Sequence, residues 1–166
     1  MLSRTFLWPQ GYTSAAMISV NLDAEFYGRI FYPGIDVSEG DIQRLGWTGM
    51  EYGLPHLLDC FREHGVKGTF FIPGRVAELY PDAVRAIADA GHELGCHGYE
   101  HEILAHFTPE EQLELLKKAK AAIEKAAGRA VTGFRMPEGE ITEQTLVAAK
   151  EAGFAYSSSL SNTDVP

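Results

Sequence analysis

The hydrophobic residues of the chain change their spacing repeatedly along its length. Short runs of β-branched, aromatic and other apolar residues predict strands, whereas apolar residues three and four apart predict amphipathic helices. The predicted strands are 16–23, 67–72, 92–97, 131–137 and 154–160. The predicted helices, each followed by a glycine, are 50–64, 81–90, 109–127 and 142–152. Strands and helices therefore alternate along the chain.

Alternation of this kind predicts an α/β fold in which helices cover a parallel sheet. Two architectures fit: part of a distorted (β/α) barrel with about five parallel strands, or an open doubly wound sheet. The length favours the open sheet, because a closed barrel usually takes about 250 residues. Residues 24–48, rich in glycine, tyrosine and acids, are predicted to form a long functional loop. In both architectures, the active residues are expected at the carboxyl ends of the strands.

Size and charge narrow the class of protein. With 166 residues the chain is predicted to form a single domain, residues 1–166. A net charge of −9 disfavours nucleic acid and anionic membranes as partners. There is no apolar run of about 20 residues and no secretory signal, so we expect a cytoplasmic protein. The two cysteines, Cys60 and Cys96, predict no disulfide framework.

Residues with metal-binding chemistry follow two of the predicted strands. Asp23 ends the first strand, and His97 ends the third, four residues before His101. Two imidazoles at this spacing can reach one divalent ion, and a carboxylate at the end of an apolar strand is costly to desolvate unless it is paired. The three residues therefore predict a facial site that leaves positions open for water and substrate. The alternative interpretation is capping or surface residues without a ligand.

A third polar cluster, from Arg135 to Glu140, follows the fourth predicted strand. An arginine at a strand end can hold a carboxylate or stabilise an oxyanion, and Glu138 or Glu140 can relay protons. The alternative interpretation is a solvated charged loop. Because all three clusters follow strands of one predicted sheet, we expect them to meet at its carboxyl edge.

Residues 97–101 also match the H-x-x-E-H pattern of inverted zinc proteases. That pattern requires a helix, on which its glutamate acts as the base. Here Gly98 follows the first histidine directly, and the preceding residues predict a strand. A metal site at a strand end is therefore favoured over a protease.

Three separated motifs together resemble the polysaccharide deacetylase family, also called the NodB-homology or carbohydrate esterase family 4 domain. They are VNLDAE at 20–25, HGYEH at 97–101 and GFRMP at 133–137. Residues 68–74 and 91–97 are similar to the family's second and third strands, and the resemblance runs from about Trp8 to the end. The PEGE motif at 137–140 and the last residues, 159–166, most resemble one branch of the family. That branch contains peptidoglycan-deacetylase-like proteins, metal-independent allantoinase-like proteins and cyclic imide hydrolases.

The resemblance implies a distorted (β/α) barrel and hydrolysis of an amide C–N bond. It also implies that a divalent metal, most often zinc, is held by Asp23, His97 and His101. Arg135 matches the family's arginine, and Glu140 matches the glutamate of the branch. The predicted catalytic residues are Glu25, Arg135 and Glu140. The predicted substrate-binding residues, which lie in or beside the motifs, are Tyr99, Glu138 and Asp164.

Two departures from the family pattern bear on the mechanism. Many members carry a second aspartate beside the metal-binding one, acting as base, whereas here the neighbours are Leu22 and Ala24, and Asn21 lies two positions before Asp23. The base is then Glu25 or another glutamate, Glu140. The family domain also continues beyond the end of this sequence, so we expect the C-terminal part of the barrel, with the histidine proposed as general acid, to be absent.

Together these observations predict a metal-dependent hydrolase that acts on non-peptide C–N bonds. Its substrate is expected to be an N-acetylated carbohydrate or a small cyclic amide or imide, and the missing export signal favours the small cyclic compound. The second hypothesis is a truncated or degenerate domain that binds metal or sugar without turnover. Such a domain is expected to associate as a homo-oligomer, because open strand edges favour association.

Overall fold

The computed structural model describes residues 11–27, 39–139 and 141–160. Within these residues the chain forms one five-stranded parallel sheet with the strand order β1-β2-β3-β4-β5. The strands are β1 (Ser19–Asn21), β2 (Thr69–Ile72), β3 (Glu93–Cys96), β4 (Gly133–Phe134) and β5 (Tyr156–Ser157). Each lies inside a stretch that the sequence predicts as a strand, but all five are shorter than predicted.

Helices connect the successive strands. They are α1 (Glu39–Thr48), α2 (Leu54–Glu63), α3 (Gly74–Leu79), α4 (Pro81–Asp89), α5 (Pro109–Ala127) and α6 (Glu143–Glu151). A π-helical turn joins α1 to α2, and short 3₁₀ turns occupy Ala24–Phe26, Leu104–His106 and Pro137–Gly139. No helix in the described part of the chain is long and apolar enough to cross a membrane.

The longest helix, α5, has sequence signals at both ends. The Thr108 hydroxyl accepts a hydrogen bond from the Glu111 backbone N–H, and the Glu111 carboxylate accepts one from the Thr108 backbone N–H. This capping box satisfies donors that the first turn leaves unpaired. Gly128, with φ 69°, ends the helix in the left-handed conformation that glycine adopts without penalty.

The sheet has one apolar face and one more polar face, on which Phe71 is a buried apolar side chain. Because side chains alternate along a strand, the residues that pair in register share a face. Five paired residues of the apolar face are buried in the core that the helices cover: Phe70, Ile72, Leu94, Cys96 and Phe134. The opposite face carries Thr69, Glu93 and Tyr156, with Glu93 accepting hydrogen bonds from both hydroxyls.

The predicted loop over residues 24–48 is wrong in part, because residues 39–48 form α1. Ile42, Gly46 and Met50 lie one turn apart, and Gly46 and Met50 are buried. A Cβ on Gly46 would lie 2.4 Å from the backbone nitrogen of Glu25. A glycine is unfavourable in a helix interior, but here it allows α1 to approach the turn that follows Asp23. Residues 28–38 of the predicted loop lie outside the described residues.

Strand order distinguishes the two predicted architectures. A doubly wound sheet reverses its strand order at a switch point, whereas successive barrel strands are neighbours. The observed order is sequential and follows the pattern of a barrel wall. Within the described residues β1 and β5 do not pair, so the sheet remains open. It therefore has the strand order of the predicted barrel and the open edges of the predicted open sheet.

Candidate metal centre

Three side chains from two strand ends meet above the carboxyl edge of the sheet. Asp23 follows β1, His97 directly follows β3, and His101 lies in the loop four residues later. The His97 Nε2 atom is 3.7 Å from Asp23 Oδ1, and the His101 Nε2 atom is 3.8 Å from Asp23 Oδ2. One potential ligand atom from each residue lies within 4.8 Å of the other two. The sequence-predicted ligand set is therefore brought together.

The polar atoms of this cluster are buried without hydrogen-bond partners. The side chains of His97 and His101 are 1% and 2% exposed, and that of Asp23 is 10% exposed. Asp23 Oδ1, His97 Nε2 and His101 Nδ1 have no hydrogen-bond partner among the described residues. Buried polar atoms are normally paired, and an unpaired one costs about 1–3 kcal/mol. A bound cation would supply the missing partner for the Asp23 oxygen and the His97 nitrogen.

The orientation of His97 is fixed by the chain itself. Its Nδ1–H donates a 2.8 Å hydrogen bond to the backbone carbonyl of Arg135. Because a carbonyl only accepts, the proton lies on Nδ1, and Nε2 presents its lone pair toward Asp23. A backbone carbonyl behind a histidine is a typical outer partner of a metal ligand. This contact also links the motif after β3 to the one after β4.

Burial shifts the pKa values of the cluster toward the neutral form of each side chain. It raises the pKa of Asp23 to about 7, and the negative charge of Glu138 adds to the effect. It lowers the pKa of His97 to about 4 and also lowers that of His101. Both imidazoles are therefore neutral at neutral pH, as metal ligation requires.

The loop over residues 97–101 excludes the inverted-protease hypothesis. These residues lie in irregular structure after β3 and not on a helix. Gly98 has φ 75° and His101 has φ 62°, so the two imidazoles meet through a left-handed bend. Their ring centroids are 4.9 Å apart. The protease alternative, which the sequence already disfavours, is therefore wrong, because the glutamate of such a protease acts from a helix that also carries its histidines.

Arg135 lies on the polar face of the sheet and spans it. Its guanidinium donates to Asn21 Oδ1 and Ser19 Oγ, both at 3.0 Å, and to Ser158 Oγ at 2.7 Å. The guanidinium carbon lies 4.1 Å from the centre of the Phe71 ring. Arg135 therefore connects β1 to the end of β5 over the face of β2. Sequence reasoning missed these partners, although alternation places Ser19, Asn21 and Asp23 on the same side.

The other predicted site residues lie at different distances from the cluster. The Glu138 Oε1 atom is 3.7 Å from His101 Nε2. Glu25 accepts a 3.2 Å hydrogen bond from the Tyr80 hydroxyl and lines a separate cavity of about 470 Å³ with Trp47. Tyr99 is buried, and its hydroxyl donates a 3.0 Å hydrogen bond to Glu78 of α3. The structure thus brings Glu138 to the ligands and gives the other two different contacts.

Two predicted residues, Glu140 and Asp164, lie outside the described residues. Their predicted roles in proton transfer and substrate binding stay predictions. Asp23 itself lines a cavity of about 340 Å³ between the end of β1 and α1.

Comparison with known proteins supports the resemblance found in the sequence. The family model for polysaccharide deacetylase matches residues 47–157. The chain is 36% identical over 133 residues to a peptidoglycan deacetylase of Helicobacter pylori, covering 80% of this chain and 45% of the relative. It is 39% identical over 100 residues to a peptidoglycan-N-acetylglucosamine deacetylase of Bacillus cereus, covering 60% and 36%.

Solved structures show the same relationship. A protein from Mycobacterium smegmatis assigned as a polysaccharide deacetylase superposes with a TM-score of 0.81 at 33% identity, covering 93% of this chain and 54% of the other. A CE4 family pseudoenzyme from Bacillus anthracis gives 0.62 at 30% identity, covering 66% and 38%. The chain thus spans about half of the relatives' length or less.

Proposed function

Because this chain belongs to the polysaccharide deacetylase family, we propose that it hydrolyses the amide bond of an N-acetylated carbohydrate with the help of a divalent metal ion. The observation that carries the proposal is the buried cluster of Asp23, His97 and His101, whose ligand atoms lie within 4.8 Å of one another. Its carboxylate and imidazole donors suit zinc among the divalent ions.

The residues of the cluster and their neighbours have separate roles in such a reaction. A bound divalent ion supplies a Lewis acid that polarises the acetyl carbonyl and lowers the pKa of a water molecule. Asp23, His97 and His101 hold the ion, and the Arg135 carbonyl keeps His97 in the ligating tautomer. The apolar core beneath the cluster limits the access of bulk water and strengthens local electrostatics.

The family and its named relatives support a class of substrate. Both relatives described above are peptidoglycan deacetylases, and one is specific in name for N-acetylglucosamine. A small cyclic amide or imide, the other substrate that the sequence predicts, receives no support from the comparisons. We therefore infer an N-acetylated sugar unit of a polymer as the substrate.

Asn21 favours a second candidate function, a domain that binds metal or sugar without turnover. Its amide oxygen accepts a hydrogen bond from Arg135, at a position two residues before the carboxylate of Asp23. An amide cannot take a proton from water, so a base must come from a glutamate. A CE4 family pseudoenzyme is among the structural relatives, which makes the absence of turnover a specific alternative.

Acetate release from N-acetylglucosamine oligomers by the purified full chain tests the proposal. We expect release that requires zinc and is abolished in His97→Ala, while Glu114→Gln, which alters an exposed carboxylate of α5, retains it. A chain without turnover that gains it in Asn21→Asp would support the second candidate, because Arg135 would hold the new carboxylate ionised. A chain that releases acetate without binding a metal, and that loses nothing in His97→Ala, would contradict both.

A further inference from the structure

We propose that Ser159 is a positioning residue for the metal ligand His97, and that it acts through the single peptide group that joins Arg135 to Met136. The inference rests on the proposed function, because it concerns how the chain holds one ligand of the metal ion. Ser159 follows β5 and is not among the site residues that the sequence predicts. The argument concerns the peptide group, its place in the sheet and its burial.

The peptide group between Arg135 and Met136 is hydrogen-bonded to a side chain at each end. Its carbonyl accepts the 2.8 Å hydrogen bond from His97 Nδ1–H, and its N–H donates a 2.9 Å hydrogen bond to the Ser159 hydroxyl oxygen. A trans peptide is planar, so its C=O and N–H point in opposite directions and turn together. The Ser159 hydroxyl therefore sets the direction of the carbonyl that orients His97.

This peptide group lies just past the backbone hydrogen bonds of the sheet. On the side of β3 the Arg135 N–H donates to the Cys96 carbonyl, and on the side of β5 the Ser158 N–H donates to β4, both at 2.8 Å. The next peptide group of the chain bonds instead to two side chains, those of His97 and Ser159. The end of β5 is thereby linked to a ligand that follows β3, across the strand between them.

The linked groups are shielded from water. Ser159 is 8% exposed and Met136 2% exposed, and the His97 side chain is 1% exposed. Hydrogen bonds in such surroundings are stronger than in water and polarise one another, and water does not readily replace a partner that is removed. The Ser159 hydroxyl also shares a 2.7 Å hydrogen bond with Ser157 Oγ, which fixes its orientation. Loss of this hydroxyl would leave the Met136 N–H buried and unpaired.

The two histidines of the cluster differ in their outer nitrogen atoms. His101 Nδ1 has no hydrogen-bond partner among the described residues, whereas His97 Nδ1 has the Arg135 carbonyl. Outer partners of this kind fix the tautomer and the ring orientation of a metal-binding histidine. In the described part of the chain His97 is thus the imidazole that the sheet orients from behind, and Ser159 belongs to that support.

Zinc affinity, measured by competition with a chromophoric chelator on the full chain, tests the inference. We expect Ser159→Ala to weaken zinc binding by about tenfold, the lower end of the range for groups outside the ligand shell. Ser159→Thr keeps the hydroxyl and should bind zinc nearly as the wild type does. The control is Thr108→Ala, which loses stability with the capping box of α5 and should keep the wild-type affinity.

Proton NMR of the metal-free protein tests the link without zinc or turnover. The His97 Nδ1–H signal, identified by its absence in His97→Ala, should lie downfield because its proton is buried and hydrogen-bonded. We expect this signal to move upfield in Ser159→Ala and to stay in place in Thr108→Ala. Ser159→Cys, which fills the space with a weakly accepting sulfur, should behave like Ser159→Ala and replaces it if that variant does not fold. Circular dichroism melts establish that each variant is folded.

The outcomes separate the role of Ser159 from the proposed function. A wild type that binds no zinc would overturn the proposed function and this inference with it. Tight zinc binding that is unchanged in Ser159→Ala, with an unshifted His97 Nδ1–H signal, would overturn only the role of Ser159. Equal losses of affinity in Ser159→Ala and Thr108→Ala would also overturn it, because lower stability would then suffice, and so would an equal loss in Ser159→Thr.

Discussion

Replacing Asp23 with asparagine should stabilise the metal-free protein, although it removes a predicted ligand. Burial and Glu138 raise the pKa of Asp23 from 3.8 to about 7, so the metal-free fold tolerates the neutral acid better than the carboxylate. The unfolded chain has no such preference. Above pH 7, holding Asp23 ionised therefore costs folding free energy, and Asp23→Asn avoids that cost.

The size of the effect follows from the same shift. A tenfold change in an equilibrium constant is about 1.4 kcal/mol, so moving the pKa from 3.8 to about 7 corresponds to at most about 4 kcal/mol. The Asp23 side chain is still 10% exposed, and relaxation of the surrounding protein and water reduces the cost of burying its charge. We therefore expect Asp23→Asn to gain about 2 kcal/mol at pH 8. In a domain of this size that is an increase in Tm of about 4–8 °C.

The pH dependence is the sharper part of the prediction. Between pH 4 and pH 7 the folded wild type binds more protons at Asp23 than the unfolded chain does. As the pH rises through this window, the free energy of unfolding of the wild type therefore falls relative to that of the variant. The gain of Asp23→Asn should be near zero at pH 4, grow through this window and be complete above pH 7. Burial lowers the pKa of His97, whose contribution rises with pH, but it is present in both proteins and largely cancels.

Urea unfolding of both proteins in chelator, from pH 4 to pH 8, measures this difference. Asp23→Ala serves as a second variant, since it also removes the charge but leaves a small cavity. A difference between wild type and Asp23→Asn that does not change with pH would refute the reasoning, as would a loss of stability in Asp23→Asn at pH 8.

Three further substitutions test other parts of the structure. Gly46→Ala should cost about 1–3 kcal/mol in urea unfolding, because its Cβ would meet the Glu25 backbone, and should weaken zinc binding by displacing the turn after Asp23. Arg135→Lys should lower the free energy of unfolding by about 1–3 kcal/mol, because an ammonium cannot replace the guanidinium that donates hydrogen bonds to three side chains. An unchanged urea midpoint would contradict this. Thr108→Ala should lower stability by about 1 kcal/mol through loss of the capping box, with zinc affinity unchanged in the chelator assay.

The sequence predicted the sheet and the meeting of Asp23, His97 and His101 because both depend on local signals. A predicted strand that ends in a polar residue shows where a side chain will lie, and the carboxyl ends of parallel strands always meet at one edge. His97 and His101 are four apart in the chain, so their meeting needs only a bend. Asp23 comes from another strand, yet its place on the same edge follows from the parallel order.

The sequence failed where a contact depends on close approach in three dimensions. The pattern of α1 was obscured by Gly46, which lowers helix propensity but lets the helix touch the backbone at Glu25. The pairing of Arg135 with Asn21 joins residues 114 positions apart, and no local spacing reports it. The contact of Glu138 with His101 depends on a left-handed backbone at both residues, a conformation that propensity does not predict for either.

Zinc should make the wild type more stable than Asp23→Asn, the reverse of the order expected without metal. The features that destabilise the metal-free site are the ones that would bind the ion. The desolvated Asp23 carboxylate, the unpaired His97 nitrogen and the left-handed backbone at His101 all destabilise the metal-free fold. A ligand that binds only the folded state at 100 times its Kd adds about 2.7 kcal/mol. Wild type should gain this and overtake Asp23→Asn, which lacks the carboxylate. If saturating zinc raises the Tm of both proteins equally, the cluster is not the site that the metal occupies.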